Sequence, residues 1–435
     1  MRVAVIGVGH VGLVTAATLA HAGHEVAGLD HDYDKIETIV AGRMPFFEPD
    51  LAGLVAEQLR SGRLRFTHDP AEAMAGAEFA FICVGTPSRP DGEANLLAIE
   101  KAARTAAQHA ASDFILVQKS TVPVSTGDRL QLLIGEISQH NFSIVSNPEF
   151  LREGSAVADS LNPTRILVGA DDEAVHARMR DLYAPFLKEG VSYFATDIKT
   201  AELAKHACNA FLALKISYAN ALARICDVSG ADVASIADIM GSDPRIGRAF
   251  LNAGLGYGGF CFPKDIAAFK SIASSLGYEF SLLDEVVKIN EEALQAAFAK
   301  IKDVLWNLED KRVALFGLSF KPGTDDVRDS PALNLARELI SAGVTVSGYD
   351  PEAGPAAAAQ VDGLEVCNDP YEAAERADCI VICTEWPEFT ELDWVRIKGI
   401  CTRPLILDGR NLFTSEAAQV AGFTYIPTGR PSVNL

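Results

Sequence analysis

Short apolar runs alternate with Ala-rich helical stretches over the first 198 residues. The run Val3–Ile6 meets a glycine-rich turn, and a helical stretch over Leu13–Ala22 follows it. A second apolar run, Glu25–Leu29, closes on Asp30. Strand, turn, helix, strand and acidic residue together predict one βαβ unit with parallel strands.

Four more strands are predicted in the same part of the chain. They cover Phe79–Val84, Phe114–Gln118, Ser143–Ser146 and Ile166–Val168. The alternation of such runs with helices predicts a mostly parallel sheet that is covered by helices on both faces. We therefore assign residues 1–198 to a first Rossmann-like domain.

Residues 199–240 lack strand signals and are predicted to form one long helix. Apolar residues recur there at helical spacing, at Leu203, Ala207, Ala210, Phe211, Leu214 and Tyr218. Further helical stretches cover Pro263–Leu276 and Leu282–Leu305. The central helical domain, 199–305, is predicted to act as a hinge and a dimer interface. The alternative is a helical subdomain that packs on its own chain.

From Lys311 onward the chain repeats the pattern of its opening. The matching pairs are Ala22–Asp30 with Ala342–Asp350 and Ala77–Cys83 with Ala377–Cys383. The predicted fold class is α/β, with two doubly wound parallel-sheet domains joined by the central helical domain. Because the second domain, 306–435, lacks the complete glycine pattern, we expect it to bind something other than a second dinucleotide.

The composition is that of a globular protein, with 49% hydrophobic and 22% charged residues. Lys and Arg number 38 against 58 Asp and Glu, which gives a formal net charge of -20. This balance argues against nucleic-acid and anionic-membrane partners, which require a basic face. No apolar run approaches the roughly 18 residues of a membrane span. Eight cysteines without a Cys-x-x-Cys pair indicate a reduced, cytoplasmic compartment and no metal site.

The glycine-rich turn has the spacing of a dinucleotide-binding site. Gly7 permits the tight turn, Gly9 lets the backbone approach a pyrophosphate, and Gly12 allows close packing of helix on strand. Asp30 is expected to bind the adenosine ribose hydroxyls and to favour NAD over NADP. Lys35, which follows within two turns, is either a contact on the adenosine side or a surface lysine.

The segment Gly258–Asp265 carries the most informative chemistry. Its two glycines bring the backbone close to a bulky group, and Pro263 suits the first turn of a helix. Cys261 is therefore predicted at a helix N-terminus beside Lys264. Both the helix dipole and the ammonium favour a thiolate, as a nucleophilic cysteine requires. The other seven cysteines are predicted to be small buried side chains.

Together these motifs resemble the UDP-glucose/GDP-mannose dehydrogenase family over essentially the whole chain. The motifs that carry the resemblance are Gly7–Gly12, Val84–Pro87, Lys119–Pro123, Asn147–Gly154, Glu202–Lys205, Gly258–Asp265 and Phe320–Pro322. Three departures stand out: His10 where tyrosine is usual, Gln118 where glutamate is common, and Phe260 where serine is frequent. Of these, Phe260 could reshape the sugar pocket.

The resemblance implies that a nucleotide sugar is oxidised twice at C6, with NAD as the cofactor. Cys261 would capture the intermediate aldehyde as a thiohemiacetal, and the second oxidation would leave a thioester for water to hydrolyse. By resemblance, Glu149 and Thr121 position or activate this water. Lys205, Asn209 and Asp265 correspond to residues that stabilise the reacting oxygen and manage its proton; Lys205 and Asn209, at i and i+4, share a helix face.

The resemblance also implies two sets of binding residues. The NAD contacts would be Gly7, Gly9, Val11, Gly12, Asp30, Lys35, Thr86, Thr121, Glu153, Lys264 and Arg328. The nucleotide-sugar contacts would be Glu149, Phe150, Leu151, Arg152, Glu153, Lys205, Asn209, Phe250, Leu251, Asn252, Ala253, Gly254, Gly258, Lys321 and Arg410. Arg245 is expected to reach across the homodimer interface into a shared site. For Arg328 an alternative remains, a solvated charged turn ahead of the helix at Pro331.

Four functions compete on these residues. The substrate is UDP-glucose, or it is a sibling such as GDP-mannose or a UDP-N-acetylhexosamine; Asn162–Arg165 and Asp408–Leu412 resemble the UDP-glucose branch. A single-oxidation dehydrogenase related to the hydroxyacid and phosphogluconate enzymes does not need Cys261. A non-catalytic NAD sensor needs neither Lys205 nor Glu149. The residues therefore favour UDP-glucose.

Overall fold

The computed structural model describes residues Met1–Asn434. The first sheet in this part of the chain has eight strands. The strands are β1 (Arg2–Ile6), β2 (Glu25–Leu29), β3 (Leu64–Thr67), β4 (Phe79–Ile82), β5 (Phe114–Gln118), β6 (Phe142–Ser146), β7 (Arg165–Gly169) and β8 (Ser192–Thr196). Their order is β3-β2-β1-β4-β5-β6-β7-β8. All neighbours are parallel except β6 and β7, so the predicted sheet is confirmed.

Eight helices accompany this sheet. They are α1 (His10–His21), α2 (Tyr33–Val40), α3 (Leu51–Ser61), α4 (Pro70–Met74), α5 (Leu97–His109), α6 (Thr126–Gly135), α7 (Ala156–Leu161) and α8 (Glu173–Tyr183), with a 3₁₀ turn at Ala184–Phe186. Helix α1 is buried over nine consecutive residues, Gly12–Ala20. Small side chains suit this position because α1 packs on the sheet and also contacts α3 and α7.

The central region is helical, as predicted, but the long helix over 199–240 is two helices. The elements are α9 (Ile198–Ser229), α10 (Val233–Gly241), α11 (Cys261–Ser275) and α12 (Ser281–Leu305). Gly230 takes a left-handed conformation with φ +76°, which ends α9. Asp232 then caps α10 by accepting hydrogen bonds from the backbone of Ala234 and Ser235. The apolar spacing continues across this break, so the pattern alone did not reveal it.

The second sheet repeats the first on a smaller scale. Its strands are β9 (Arg312–Phe316), β10 (Thr345–Tyr349), β11 (Leu364–Val366), β12 (Cys379–Ile382), β13 (Leu405–Asp408) and β14 (Thr424–Pro427), all parallel in the order β11-β10-β9-β12-β13-β14. Its helices are α13 (Pro331–Ser341), α14 (Gly354–Ala358), α15 (Pro370–Ala374), α16 (Trp394–Ile400) and α17 (Ser415–Ala421), with a 3₁₀ turn at Pro387–Thr390. The predicted internal repeat is therefore confirmed.

Each sheet has one place where the strand order reverses, between β1 and β4 and between β9 and β12. Ligands of doubly wound sheets bind at the carboxyl ends of the strands at this point. By contacts the chain divides into two compact units, Met1–Cys208 with Ala267–Tyr278, and Asn209–Ile266 with Glu279–Leu435. Within Met1–Asn434 no helix combines the length and the apolar content needed to cross a membrane.

Candidate active site

The glycine turn joins β1 to α1 at the reversal point of the first sheet. Gly7 has φ +92°, and a Cβ on Gly12 would lie 1.8 Å from the carbonyl oxygen of Gly7. A Cβ on Gly9, in contrast, would meet no atom within 4 Å. Gly12 is thus required by the packing of the chain itself, whereas Gly9 keeps a space open at the first turn of α1. This space and the adjacent helix N-terminus fit the pyrophosphate of a dinucleotide.

Asp30 follows β2 and is almost fully buried. Its Oδ2 accepts hydrogen bonds from Val8 N and Lys35 Nζ, both at 3.0 Å, and its Oδ1 accepts one from Asp32 N. Burial by itself raises the pKa of Asp30, but these hydrogen bonds outweigh it and lower the pKa below its ordinary value. An ionised carboxylate accepts from ribose hydroxyls and repels a 2′-phosphate. Lys35 therefore contacts Asp30 and is not an isolated surface lysine.

The corresponding carboxylate of the second sheet is Asp350, and its hydrogen bonds are made within the domain. Its Oδ2 accepts from Leu318 N, from the backbone and hydroxyl of Ser319, and from Trp386 Nε1. The expectation that the second domain binds something other than a second dinucleotide stays a prediction.

Predicted site residues meet at the carboxyl ends of β4, β5 and β6. Thr86 donates its hydroxyl proton to the carbonyl oxygen of Thr121 at 2.9 Å. Glu149 Oε1 and the Glu149 carbonyl oxygen both accept from Lys205 Nζ, at 2.9 and 2.6 Å. Lys205 and Glu149 are buried, so the ion pair is shielded from solvent. The ring of Phe150 lies 5.3 Å from the same ammonium.

A second group of predicted catalytic residues surrounds Asp265 in α11. Asn209 Nδ2 donates to Asp265 Oδ2 at 2.5 Å, and Lys264 Nζ donates to Asp265 Oδ1 at 2.6 Å. Cys261 is the first residue of α11 and is solvent-exposed, as a nucleophile must be. Lys205 and Asn209 lie one turn apart on α9, which is continuous between them.

The two glycines before Cys261 allow close packing. A Cβ on Gly258 would lie 2.2 Å from the carbonyl oxygen of Asp329, and one on Gly259 would lie 2.7 Å from the ring of Phe320. Phe260, one of the departures from the family pattern, packs under two cations predicted to contact NAD. Arg328 lies 4.4 Å and Lys264 5.4 Å from the centre of its ring. Arg328 also forms a bidentate ion pair with Asp326, which matches the charged-turn alternative.

The segment Phe250–Gly254 adopts an unusual backbone conformation. Phe250 has φ +64°, a strained value for a bulky residue that is typical of functional loops. Leu251 and Ala253 are buried, and a Cβ on Gly254 would lie 2.8 Å from the carbonyl oxygen of Gly409. It would also lie 3.3 Å from the side chain of Arg410, so this segment and Arg410, both predicted to bind substrate, pack together.

Other predicted cations form local contacts. Arg410 donates to the carbonyl oxygens of Cys383 and Phe320, at 2.8 and 3.0 Å. Arg152 pairs with Asp159 at 2.7 Å. Arg245 is 87% exposed and pairs only with its near neighbour Asp243 among the described residues. An exposed cation of this kind is available to a second chain.

Cys261 differs from the other seven cysteines in its solvent exposure. Cys83, Cys226, Cys379 and Cys383 are buried, and Cys208, Cys367 and Cys401 are partly buried. Burial raises the pKa of Cys83 and Cys379 to about 12. These thiols stay protonated at neutral pH and are poor nucleophiles.

Two ionisable residues, Lys119 and Glu202, were given no role in the sequence interpretation. Lys119 follows β5 directly, and its Nζ donates to Asn147 Oδ1 at 3.3 Å; burial lowers the pKa of Lys119. Glu202 accepts hydrogen bonds from the backbone of Ser125 and Gly127. Both residues lie within quoted motifs, but their partners are backbone or amide groups with no sequence signature.

The whole chain is similar to known proteins. Residues 1–187, 199–292 and 314–415 match the NAD binding, central and UDP binding domains of the UDP-glucose/GDP-mannose dehydrogenase family. The chain is 42% identical to UDP-glucose 6-dehydrogenase TuaD of Bacillus subtilis (strain 168), over 99% of this chain and 94% of the relative. It is 43% identical to UDP-glucose 6-dehydrogenase of Rhizobium meliloti (strain 1021), over 99% and 100%.

Solved structures give the same result. A UDP-glucose dehydrogenase from Pyrobaculum islandicum superposes with a TM-score of 0.92 at 36% identity, covering 99% of this chain and 98% of the other. The UDP-D-ManNAc dehydrogenase from Pyrococcus horikoshii superposes with a TM-score of 0.85 at 29% identity, covering 99% of both chains.

Proposed function

Since the chain belongs to the UDP-glucose/GDP-mannose dehydrogenase family, we propose that it oxidises UDP-glucose to UDP-glucuronate with two molecules of NAD. The proposal is carried by full-length identity of about 40% to several UDP-glucose 6-dehydrogenases. It is supported by the exposed Cys261 at the start of α11, four residues before the buried Asp265.

NAD supplies the acceptor for hydride in both oxidations. In the first, a proton leaves the C6 hydroxyl as hydride leaves C6; Asp265, with Asn209 and Lys205, holds this oxygen and takes part in its proton transfer. The Cys261 thiolate then adds to the aldehyde carbon. Oxyanion stabilisation and proton transfer each typically contribute about 10²- to 10³-fold in rate.

The second oxidation converts the thiohemiacetal to a thioester and releases another proton. Water then attacks the thioester carbonyl, the C–S bond breaks, and Cys261 leaves as a thiolate. Glu149 and Thr121 position this water, and the Lys205 ammonium lies 2.9 Å from Oε1 of Glu149. One alcohol, two NAD and one water thus give one carboxylate, two NADH and three protons.

A substrate panel with purified protein tests this function. UDP-glucose, GDP-mannose, UDP-N-acetylglucosamine and UDP-N-acetylmannosamine are each supplied with NAD, and the NADH formed per nucleotide sugar consumed is measured. We expect UDP-glucose to give the highest kcat/KM and two NADH per sugar, and Cys261→Ala to give no turnover. Preference for an N-acetylhexosamine or for GDP-mannose identifies a sibling substrate instead, and one NADH per sugar contradicts the four-electron reaction.

A homodimer with a shared site is part of the proposal. Phe211, Tyr218 and Ile225 recur at seven-residue spacing along α9 and are 61%, 51% and 63% exposed. An exposed apolar stripe of this kind is typical of a helix that packs against another chain. Light scattering should therefore give the mass of a dimer for the unsubstituted chain and of a monomer for Phe211→Glu with Ile225→Glu.

The proposal also includes the boundaries between the domains and the cellular location of the protein. We place domain boundaries near residues 198 and 305, which is supported by family matches that leave 188–198 and 293–313 between them. A cytoplasmic location is supported by the buried thiols of Cys83, Cys226, Cys379 and Cys383, which form no disulfide.

A further inference from the structure

Glu48 is a buried carboxylate outside every motif discussed so far. It lies in the segment between α2 and α3, and its side chain has no solvent exposure. Its Oε1 accepts a hydrogen bond from Ala156 N at 2.7 Å. Its Oε2 accepts two more, from Gly154 N at 2.8 Å and from the ring N–H of His10, whose Nε2 lies 2.8 Å away.

One of these contacts reaches the dinucleotide turn. His10 is the first residue of α1 and follows Gly9 directly. Its ring also packs against the ring of Phe46, at 4.7 Å between ring centres. The orientation of the first turn of α1, where the pyrophosphate of NAD is bound, is therefore fixed in part by Glu48.

The other two contacts reach the segment that contains Glu149 and Glu153. Gly154 has φ +78°, which bends the chain so that the N–H groups of residues 154 and 156 both point at Glu48. Glu149, at the start of this segment, accepts a hydrogen bond from Lys205 Nζ. The segment therefore has two fixed points, Lys205 near one end and Glu48 at the other.

Burial of a carboxylate is unfavourable unless hydrogen bonds replace its water. Three donors do so here, and they come from two segments more than a hundred residues apart. A fully bonded buried group of this kind fixes the geometry of whatever it joins. Binding and catalysis require such positions to be held within about 0.5 Å.

We propose that Glu48 is a positioning residue that joins the NAD turn, through His10, to the segment 149–156, so that binding of NAD and of the nucleotide sugar are positively coupled. This rests on the proposed function, which takes segment 149–153 as the nucleotide-sugar contact. Glu48 itself touches neither ligand.

The test is the dissociation constant of NAD, measured by fluorescence titration without and with saturating UDP-glucuronate, which cannot be oxidised further. The ratio of the two constants is the coupling factor, and it must be the same in either order of binding. In Glu48→Gln one acceptor becomes a donor, so we expect both affinities to fall by about tenfold and the coupling factor to approach one.

The His10 contact is tested by a matched pair. A glutamine at position 10 places an amide N–H near the position of His10 Nε2, whereas a leucine there has no hydrogen-bond donor. His10→Leu should raise the dissociation constant of NAD by about tenfold, and His10→Gln should restore most of the affinity. Asp172→Asn is the control, because Asp172 caps α8 through Ala174 N and has no contact with the turn among the described residues. It should change only the thermal midpoint.

Each outcome decides the proposal. If Glu48→Gln lowers the thermal midpoint but leaves the coupling factor unchanged, Glu48 is structural only and the proposal is wrong. If Glu48→Gln does not fold, equal NAD affinities for His10→Leu and His10→Gln contradict it. If the unsubstituted chain binds no UDP-glucuronate, the proposed function fails, and the His10 pair still tests the link to the NAD turn.

Discussion

At the scale of single residues, Glu202 is a buried carboxylate whose ionisation is coupled to folding. Burial raises the pKa of Glu202 from its ordinary 4.5 to about 7, although hydrogen bonds from Gly127 and Ser125 oppose the shift. Between these two pH values the folded chain keeps a proton that the unfolded chain has released. The free energy of unfolding contributed by this group therefore falls as the pH rises through this window.

Glu202→Gln cannot titrate, so this variant should show a flatter dependence of unfolding free energy on pH between about 4.5 and 7. Urea denaturation at several pH values measures the slope. Glu136→Gln, an exposed carboxylate beside the end of α6, is the control and should keep the slope of the unsubstituted chain. An unchanged slope in Glu202→Gln would contradict the assignment.

Asp30 should determine the choice between NAD and NADP. With Asp30→Ala we expect NAD efficiency to fall by about tenfold, because the ribose loses a charged acceptor, and NADP efficiency to rise relative to it. The ratio of kcat/KM for the two cofactors measures this. Equal efficiency with both in the unsubstituted chain would show that Asp30 does not discriminate.

Residues in local motifs were predictable, and residues with distant partners were not. The dinucleotide spacing singled out Asp30, and the glycine-flanked setting singled out Cys261, which is the exposed thiol. The roles of both residues stay predictions. Glu202 and Glu48 accept hydrogen bonds from backbone N–H groups that are 75 to 108 residues away in the sequence. Backbone groups are the same in every residue, so no sequence pattern marks such partners.

At the scale of elements, the glycine turn offers a matched pair of substitutions. Gly12→Ala places a Cβ 1.8 Å from a backbone oxygen, so we expect the unfolding free energy to fall by about 2 kcal/mol or more. Gly9 has φ -73°, which alanine accepts, and open space around it. Gly9→Ala should keep its thermal midpoint and lose NAD affinity by about tenfold or more.

Calorimetry and NAD titration of both variants distinguish the two roles. If Gly9→Ala binds NAD normally, the pyrophosphate does not lie against this turn. If Gly12→Ala is as stable as the unsubstituted chain, the close contact between β1 and α1 is not as described.

Elements were predictable where burial makes an unbroken pattern. β1, β4 and β5 are buried over nearly their whole length and appear as apolar runs. β3 and β8 contain exposed positions such as Arg65 and Phe194, and neither was predicted. The end of α9 was missed because it depends on the conformation of Gly230, which leaves the apolar spacing unchanged.

At the scale of the whole molecule, the architecture was predicted from the internal repeat and from the family resemblance. Both are confirmed. The α/β fold, the family and NAD as cofactor agree with three domain matches and a TM-score of 0.92 to a UDP-glucose dehydrogenase. The homodimer remains a prediction. The observation that supports it is the exposed apolar stripe on α9, which is a surface feature and not a sequence motif.

The shared site can be tested by mixing two inactive chains, Arg245→Ala and Cys261→Ala. In a mixed dimer, Cys261 of the first chain and Arg245 of the second complete one site. After random exchange about a quarter of all sites should be intact, and activity should recover to this extent. If exchange is confirmed by mass and no activity returns, Arg245 does not act across the interface.

The central claim is that Cys261 carries the sugar covalently between the two oxidations, and single turnover of Cys261→Ser with UDP-glucose and excess NAD tests it most directly. Serine is nearly the same size, but its hydroxyl is much less acidic and its ester is a poorer acyl donor. We expect normal NAD affinity, steady-state turnover lower by several orders of magnitude, and a slow burst of NADH. Intact mass should show a sugar ester on the protein. Turnover near the normal rate with two NADH per sugar and no adduct would contradict the covalent mechanism.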